Sequence, residues 1–306
     1  MDPSLPIISI IAVNFNNSAV TVEFLRSIRE HNTYENIEVI IVDNGSAEDP
    51  SEACREVYPE VRMLLTGKNL GFAGGNNAGI RVARGSYFFM VNNDTEFTAG
   101  LLEGLMEVFR VHRDAGVVCP KFHYYFRKGT IEYAGYGAMN VFTGRNGMIG
   151  CGERDEGQYD QMRETNFAHG GAMLVSREVV QRVGTMYEPF FLYYEELDWS
   201  ARIRKMGYKI YYQPASLIYH KESMTTGKAS PLKTFYLTRN RILFMRRNTR
   251  LPVFLVFASY FIFFTMPKNT IVYLFRGNRE HLRSFWRGIL WQFNPSIGFN
   301  GHAKKP

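Results

Sequence analysis

The sequence predicts an α/β protein, a Rossmann-like mixed sheet followed by C-terminal amphipathic and apolar helices. Three observations lead there. Short β-branched runs alternate with helical spacings through residues 1–115, the pattern of a parallel sheet covered on both faces. The first, second and fourth of these runs are followed by small polar residues at their carboxyl ends, where open α/β sheets hold their ligands. The last eighty residues then reverse the charge of everything before them.

Ile7–Val13 is a continuous apolar run and reads as a buried strand. Ser18–His31 carries Val22, Leu25 and Ile28 at helical spacing, with Ser18 as the expected N-cap. Ile37–Val42 is a second buried strand closed by Asp43-Asn44-Gly45-Ser46, and Val61–Leu65 a third. The segment Asn69-Leu-Gly-Phe-Ala-Gly-Gly-Asn-Asn-Ala-Gly79 reads as a glycine-rich turn whose backbone amides approach a ligand, running into a helix over Gly75–Ala83. Tyr87–Val91 is a fourth strand, ending in Asn92-Asn93-Asp94, and Leu101–Arg110 is a helix. From residue 116 the pattern loosens, with hairpins and loops expected over Tyr133–Gly150. Met173–Val175 is a short strand, and Ser176 caps the helix after it. Leu197–Met206 reads as a helix, Tyr208–Tyr212 and Ser216–Tyr219 as strands, and Leu232–Arg247 as a basic amphipathic helix. There is no internal repeat and no low-complexity linker.

The net charge of +7 conceals an asymmetry. Residues 1–226 hold 22 Lys and Arg against 28 Asp and Glu, whereas residues 227–306 hold 14 against Glu280 alone. A basic tail favours nucleic acid or anionic lipid, and this one is too apolar for nucleic acid. Leu251–Phe264 is nearly all apolar but contains Pro252, and Pro267 and Lys268 are expected to interrupt it before a second apolar patch, Ile271–Phe275. Arg246, Arg247 and Arg250 precede it, Arg276, Arg279, Arg283 and Arg287 follow, and Trp286 and Trp291 suit an interfacial belt. The expectation is a helix pair lying in the anionic membrane surface, with a hairpin packed on the protein's own apolar face as the first alternative and a re-entrant or tilted span as the second. Cys54, Cys119 and Cys151 have no metal-ligand spacing and read as free thiols of a reducing compartment. The first residues, Met1-Asp-Pro-Ser-Leu-Pro6, have neither a basic nor a long apolar region, so the body is expected on the cytoplasmic face of the plasma membrane.

Several polar constellations stand out. Asn14 and Asn16 leave the first strand and Asp43 the second, each able to bond a base or a ribose hydroxyl, although Asp-Asn-Gly-Ser alone also fits a helix-capping turn. Asp94 is placed to hold a cation against a diphosphate, and His220 follows an apolar strand. Tyr193-Tyr194-Glu195-Glu196-Leu197-Asp198-Trp199 puts three acids at a helix start, where the dipole favours them and the flanking aromatic residues desolvate them.

In this order the motifs resemble the inverting GT-A glycosyltransferases of family 2, nucleotide-diphospho-sugar transferases, and most of all their rhamnosyltransferase branch. The resemblance covers most of residues 1–250, which divide into a nucleotide-binding half (1–115) and an acceptor half (116–250), with 251–306 as a membrane-association segment. It implies that Asn14, Asn16, Asp43, Asn69, Gly75, Asn76 and Asn93 bind the nucleotide sugar. It implies a metal site at Asp94, where the family's Asp-x-Asp reads Asn92-Asn93-Asp94, completed by His220. An imidazole ligand favours Mn²⁺ over Mg²⁺. Glu196 falls at the position of the family's catalytic base, normally Asp, with Asp198 in reserve. His169-Gly170-Gly171-Ala172 matches a turn lining the donor sugar. The best match to the rhamnosyltransferase branch lies in Asn69–Gly79 and in Thr238-Arg239-Asn240-Arg241. The implied reaction moves L-rhamnose from dTDP-rhamnose onto a lipid-linked saccharide, with a UDP-hexose or UDP-galactofuranose donor as the alternative. A nucleotidyltransferase is disfavoured because Asn14–Asn17 is not a phosphate-gripping loop, and a non-catalytic nucleotide-sugar-binding scaffold remains the other class.

Overall fold

A computed structural model describes residues 5–221 and 230–298. The amino-terminal elements run β1 (Ile8–Asn14), α1 (Ser18–His31), β2 (Ile37–Asp43), α2 (Ser51–Val57), β3 (Arg62–Leu65), α3 (Gly71–Val82), β4 (Tyr87–Val91), β5 (Thr95–Glu96) and α4 (Leu101–Val111). Next come β6 (Ala115–Tyr124), β7 (Ile131–Tyr133), β8 (Arg163–Glu164), β9 (Ala172–Ser176), α5 (Arg177–Val183), α6 (Glu195–Lys205) and β10 (Lys209–His220). Four of the five residues Ile8–Ala12 are apolar and all five are inaccessible to solvent, as expected for a central strand covered on both faces.

One mixed sheet carries the order β3-β2-β1-β4-β9-β6-β10-β5. β3, β2, β1 and β4 are mutually parallel, whereas β9 runs antiparallel to both β4 and β6. Two reversals cancel, so β6 points the same way as β4, and β10, parallel to β6, does too. The carboxyl ends of β1, β2, β4 and β10 therefore share one side of the sheet. That direction brings His220 beside β5 in register with Thr95, one residue past Asp94.

Several local expectations need correction. Ser18 opens α1 but does not cap it; Asn17 occupies the cap position without a side-chain bond. Ser176 does cap α5, accepting from the Val179 amide. The two strands expected over Tyr208–Tyr212 and Ser216–Tyr219 are one, β10, with a bulge between Gln213 and Leu217 that absorbs Pro214. The glycine-rich turn is itself helical: α3 begins at Gly71, not Gly75. Its glycines seat the helix on the sheet. A methyl group on Gly79 would lie 2.3 Å from Ile11 Cγ2, and one on Gly75 3.0 Å from both methyls of Val13.

The chain divides into two compact units. The sheet unit comprises Met1–Gly137, Gly147–Phe191 and Glu195–Thr225; the helical unit comprises Ala138–Asn146, Leu192–Tyr194 and Thr226–Pro306. The helical unit contains α7 (Pro231–Asn248), α8 (Leu251–Tyr260), a π-helical turn (Phe261–Thr265), α9 (Met266–Phe275) and α10 (Arg279–Leu290). Pro267 does not interrupt the apolar run. The widened π turn directly before it shifts the hydrogen-bond pattern and relieves the clash a proline makes with the preceding turn. Leu251–Phe275 is consequently one continuous 25-residue helix, long and apolar enough to cross a membrane, with only 11% of its most apolar stretch buried in the protein. Phe257 and Phe261 are its buried anchors, while Phe263, Phe264, Leu274 and Phe275 face outward.

Candidate active site

The ends of β1 and β2 are joined by a polar network. Asn14 Nδ2 donates to Asp43 Oδ1 (2.8 Å) and to Ser46 Oγ (3.2 Å), while its Oδ1 accepts from Thr21 (2.8 Å). Ser46 donates to Asp43 through both hydroxyl and amide. Asn93 Nδ2 reaches the same Thr21 hydroxyl at 2.8 Å, which ties the exit of β4 to that of β1. Asn16 lies at the surface with a left-handed backbone (φ 53°), its Oδ1 accepting from Ala47 N. Asn14, Asp43, Asn93 and Asp94 are thereby gathered along one edge by the sheet itself.

The glycine-rich segment is built differently from its sequence-level reading. Phe191 O accepts from the amides of Phe72 (2.6 Å) and Ala73 (3.4 Å), and Asn69 Oδ1 accepts from Gly71 N (2.8 Å). These first-turn amides of α3, which the sequence assigned to a ligand, bond within the protein. Gly71 (φ 73°) has to be glycine, since a Cβ there would lie 2.3 Å from Phe191 O. Asn76 is buried and donates to Phe72 O, and Asn77 both donates to and accepts from the Met186 backbone. Both hold α3 in place.

Asp94, His220 and Glu132 form a buried relay. His220 Nε2 lies 3.1 Å from Asp94 Oδ1, and Nδ1 lies 2.8 and 2.9 Å from the two oxygens of Glu132. Burial opposes a charged imidazole, but hydrogen bonding and charge from Asp94 and Glu132 outweigh it and lift His220 to about 10. The relay also suits a divalent ion. Glu132 would hold the Nδ1 proton while an ion displaced the one on Nε2, and the pair would then offer it one nitrogen and one oxygen ligand. Among the described residues no group of three or more His, Cys, Asp and Glu side chains is arranged to hold a metal. The remaining ligands of an ion at this pair would be diphosphate oxygens and water.

Behind His220 lies an aromatic wall. His169 packs against Phe122, Tyr133 and Tyr136 with ring centroids 4.2, 4.8 and 6.1 Å away, and its Nδ1 accepts from Gly171 N. Full burial, helped by the nearby His220, drives its pKa down to about 3, so the ring is neutral. The buried Tyr136 hydroxyl is held well above its usual value by desolvation, then by the charges of Glu196 and Glu132. Glu196 lies against Gly170, beside His169, whose ring centroid is 6.5 Å from that of His220, so the start of α6 neighbours the relay.

The acids of α6 separate sharply. Asp198 is fully buried and accepts from Arg202 Nε at 3.0 Å, and that guanidinium also donates to Val183 O and Thr185 O. Glu196 is half-buried beside Gly170. The backbone leading into this helix is strained: Phe191, Tyr193 and Tyr194 all have φ between 64° and 73°. Such conformations cost of order 1–3 kcal/mol each for non-glycine residues and cluster at functional sites. Asn240 Nδ2 clamps the segment by donating to Leu192 O and Tyr193 O, both at 2.7 Å.

Glu132 is the residue sequence reasoning missed. Its only local signal was an acid between two apolar neighbours, Ile131 and Tyr133, in a stretch that matched no motif.

Residues 9–184 match the family described as Glycosyl transferase family 2. The chain is 24% identical over 242 residues to the N-acetylglucosaminyl-diphospho-decaprenol L-rhamnosyltransferase of Mycobacterium tuberculosis, covering 72% of this chain and 78% of that one. It is 26% identical over 256 residues to an uncharacterized protein of Sinorhizobium fredii, covering 79% of this chain but only 27% of the relative's length. In fold it is similar to a mannosyltransferase from Pyrobaculum calidifontis solved with GDP-Man and Mn²⁺, with a TM-score of 0.57, 16% identity, and 97% of this chain and 78% of that one covered.

Proposed function

From the premise that the chain belongs to glycosyl transferase family 2 and has the GT-A fold, we propose that it transfers a sugar, with inversion, from a nucleoside diphosphate to a lipid-linked saccharide at a membrane. L-Rhamnose carried by dTDP is the donor we favour, on the likeness to the mycobacterial rhamnosyltransferase. The observation that carries the reading is the Asp94–His220–Glu132 relay at the sheet edge where Asn14 and Asp43 also gather.

Asp94 and His220 would hold a divalent ion, Mn²⁺ or Mg²⁺, which when bound takes up charge from the departing diphosphate. Asn14, Asp43 and Ser46 form the polar cradle for base and ribose, their network already rigid before a ligand arrives. Glu196 removes the proton of the acceptor hydroxyl, which then attacks the anomeric carbon from the face opposite the diphosphate. Asp198, sealed against Arg202, holds α6 in position instead of meeting a substrate. The exposed apolar helix over Leu251–Phe275, followed by basic residues, brings the protein to the lipid surface where such an acceptor resides.

Calorimetric titration with dTDP-, UDP- and GDP-sugars in Mn²⁺ tests this. One nucleotide sugar is expected to bind, and Asp94→Asn to weaken its Mn²⁺-dependent binding by more than about tenfold. Absence of binding by every nucleotide sugar, or binding indifferent to Asp94→Asn, overturns the reading.

A further inference from the structure

Arg241, near the middle of α7, presents an unusual account of charge. It is only 5% exposed, its Nε is buried without a partner, and none of its five N–H groups bonds to a described residue. Moving an ion of this size out of water costs several kcal/mol even after relaxation. The compensation in sight is the Phe261 ring, 5.0 Å from the guanidinium carbon, a contact much weaker than that cost. Arg239, two residues earlier, is handled differently: its Nε donates to Asn240 Oδ1 and its plane lies over Tyr236 and Trp291, both at 4.7 Å.

The surroundings of Arg241 add positive charge instead of cancelling it. Burial and the nearby Arg145 depress its pKa to about 10, opposed only by Tyr194 and Tyr273. Arg145 comes from the short segment Ala138–Asn146, whose Gly144 sits against the aliphatic stem of Arg241 and accepts from the Tyr194 hydroxyl at 2.9 Å. The helical unit has 15 Lys and Arg but a single acidic side chain, Glu280, which is exposed at the start of α10. A buried guanidinium beside a second arginine, bonded to no carboxylate among the described residues, is a site built for an anion from elsewhere.

We propose that Arg241 and Arg145, walled by Tyr194, Phe261 and Tyr273, bind the diphosphate of a prenyl-linked acceptor. The chemistry of the walls selects this anion. Phe261 belongs to the apolar helix that is mostly uncovered by the protein, so an anion with a hydrocarbon chain can leave its head at Arg241 and lay its tail along that helix. The inference rests on the proposed lipid-linked acceptor and deepens it by assigning the group that recognises the lipid end.

The test uses the full chain in detergent, with geranylgeranyl diphosphate as probe and phosphatidylglycerol nanodiscs as the control for an ordinary headgroup. Wild type is expected to bind the prenyl diphosphate, Arg241→Met to bind it at least tenfold more weakly, and Arg241→Lys to fall between. The melting temperature of ligand-free Arg241→Met is expected to match or exceed that of wild type, since methionine suits the same aromatic walls without an unpaired charge. Unchanged prenyl diphosphate affinity in Arg241→Met overturns the proposal, as does a lowered melting temperature with affinity intact, or equal competition by phosphatidylglycerol. Should Arg241→Met fail to fold, an unaltered affinity in Arg241→Lys and in Arg145→Gln overturns it equally. Nucleotide-sugar binding is followed in parallel: donor binding without prenyl diphosphate binding sinks this site alone, whereas loss of donor binding in wild type sinks the transferase reading.

Discussion

The sheet unit pairs its buried charges, whereas the helical unit leaves one of its own, Arg241, unbonded. In the sheet unit, Lys121 lies between Asp155 and Asp160, His220 between Asp94 and Glu132, and Asp198 against Arg202. In the helical unit Arg241 makes no hydrogen bond to a described residue. A paired charge is expensive to separate and so fixes geometry, which suits a reaction whose atoms must be placed to a fraction of an ångström. An unpaired one destabilises the resting fold and gains its partner only when a ligand brings it. On the proposed reading, the contrast separates residues that position chemistry from residues that wait for a substrate.

Glu196→Gln gives the largest expected effect. Turnover should fall by about 10²- to 10⁴-fold, the usual contribution of a general base, with nucleotide-sugar affinity nearly unchanged. Asp198→Asn should do the reverse. It removes the charged partner of the Arg202 guanidinium, leaving it the Val183 and Thr185 carbonyls, and should cost up to about 3–5 kcal/mol of stability, read as a lowered urea midpoint. If Asp198→Asn folds as stably as wild type and abolishes turnover, the two roles are exchanged.

A smaller effect attends Glu132→Gln. Replacing the carboxylate behind His220 should weaken Mn²⁺ binding by about 10- to 100-fold, measured by electron paramagnetic resonance of the free ion. An unchanged affinity would reduce Glu132 to a packing residue.

The smallest prediction concerns His169, neutral in the core with a pKa near 3. Its folded value lies below the unfolded one of about 6.5, so below that pH the unfolded chain takes up a proton that the folded protein refuses. Its contribution is intact above pH 6.5 and is lost on acidification toward 3, by up to about 1.4 kcal/mol per pH unit. His169→Gln, which keeps an acceptor for Gly171 N, should flatten the acid limb of the urea midpoint between pH 6 and 4 by one proton. An unaltered slope would mean the imidazole is charged in the folded state.

Much of this molecule was legible before any tertiary information. The apolar runs of β1, β2 and β4 follow from local pattern, because two-faced burial demands continuous apolar strands, and the polar residues at their ends and the acids opening α6 are read directly from residue type. The charge reversal and the apolar C-terminal run depend on composition alone. What local pattern could not specify was decided by packing. Glu132 meets His220 across 88 residues through the pairing of β7 with β6 and of β6 with β10, a register no motif records. Asp198 and Glu196 are two residues apart in one helix turn, and packing buries one against Arg202 while leaving the other half-buried. The glycines of α3 read as a ligand loop because glycine permits both close ligand approach and close helix packing, and Ile11 and Val13 decided for packing. Pro267 reads as a break until a π turn removes the clash. Sequence determined which chemistry the chain can carry, since residue type sets donors, acceptors and periodicity; tertiary structure decided which of those groups meet, since contacts between distant residues are set by strand register and packing.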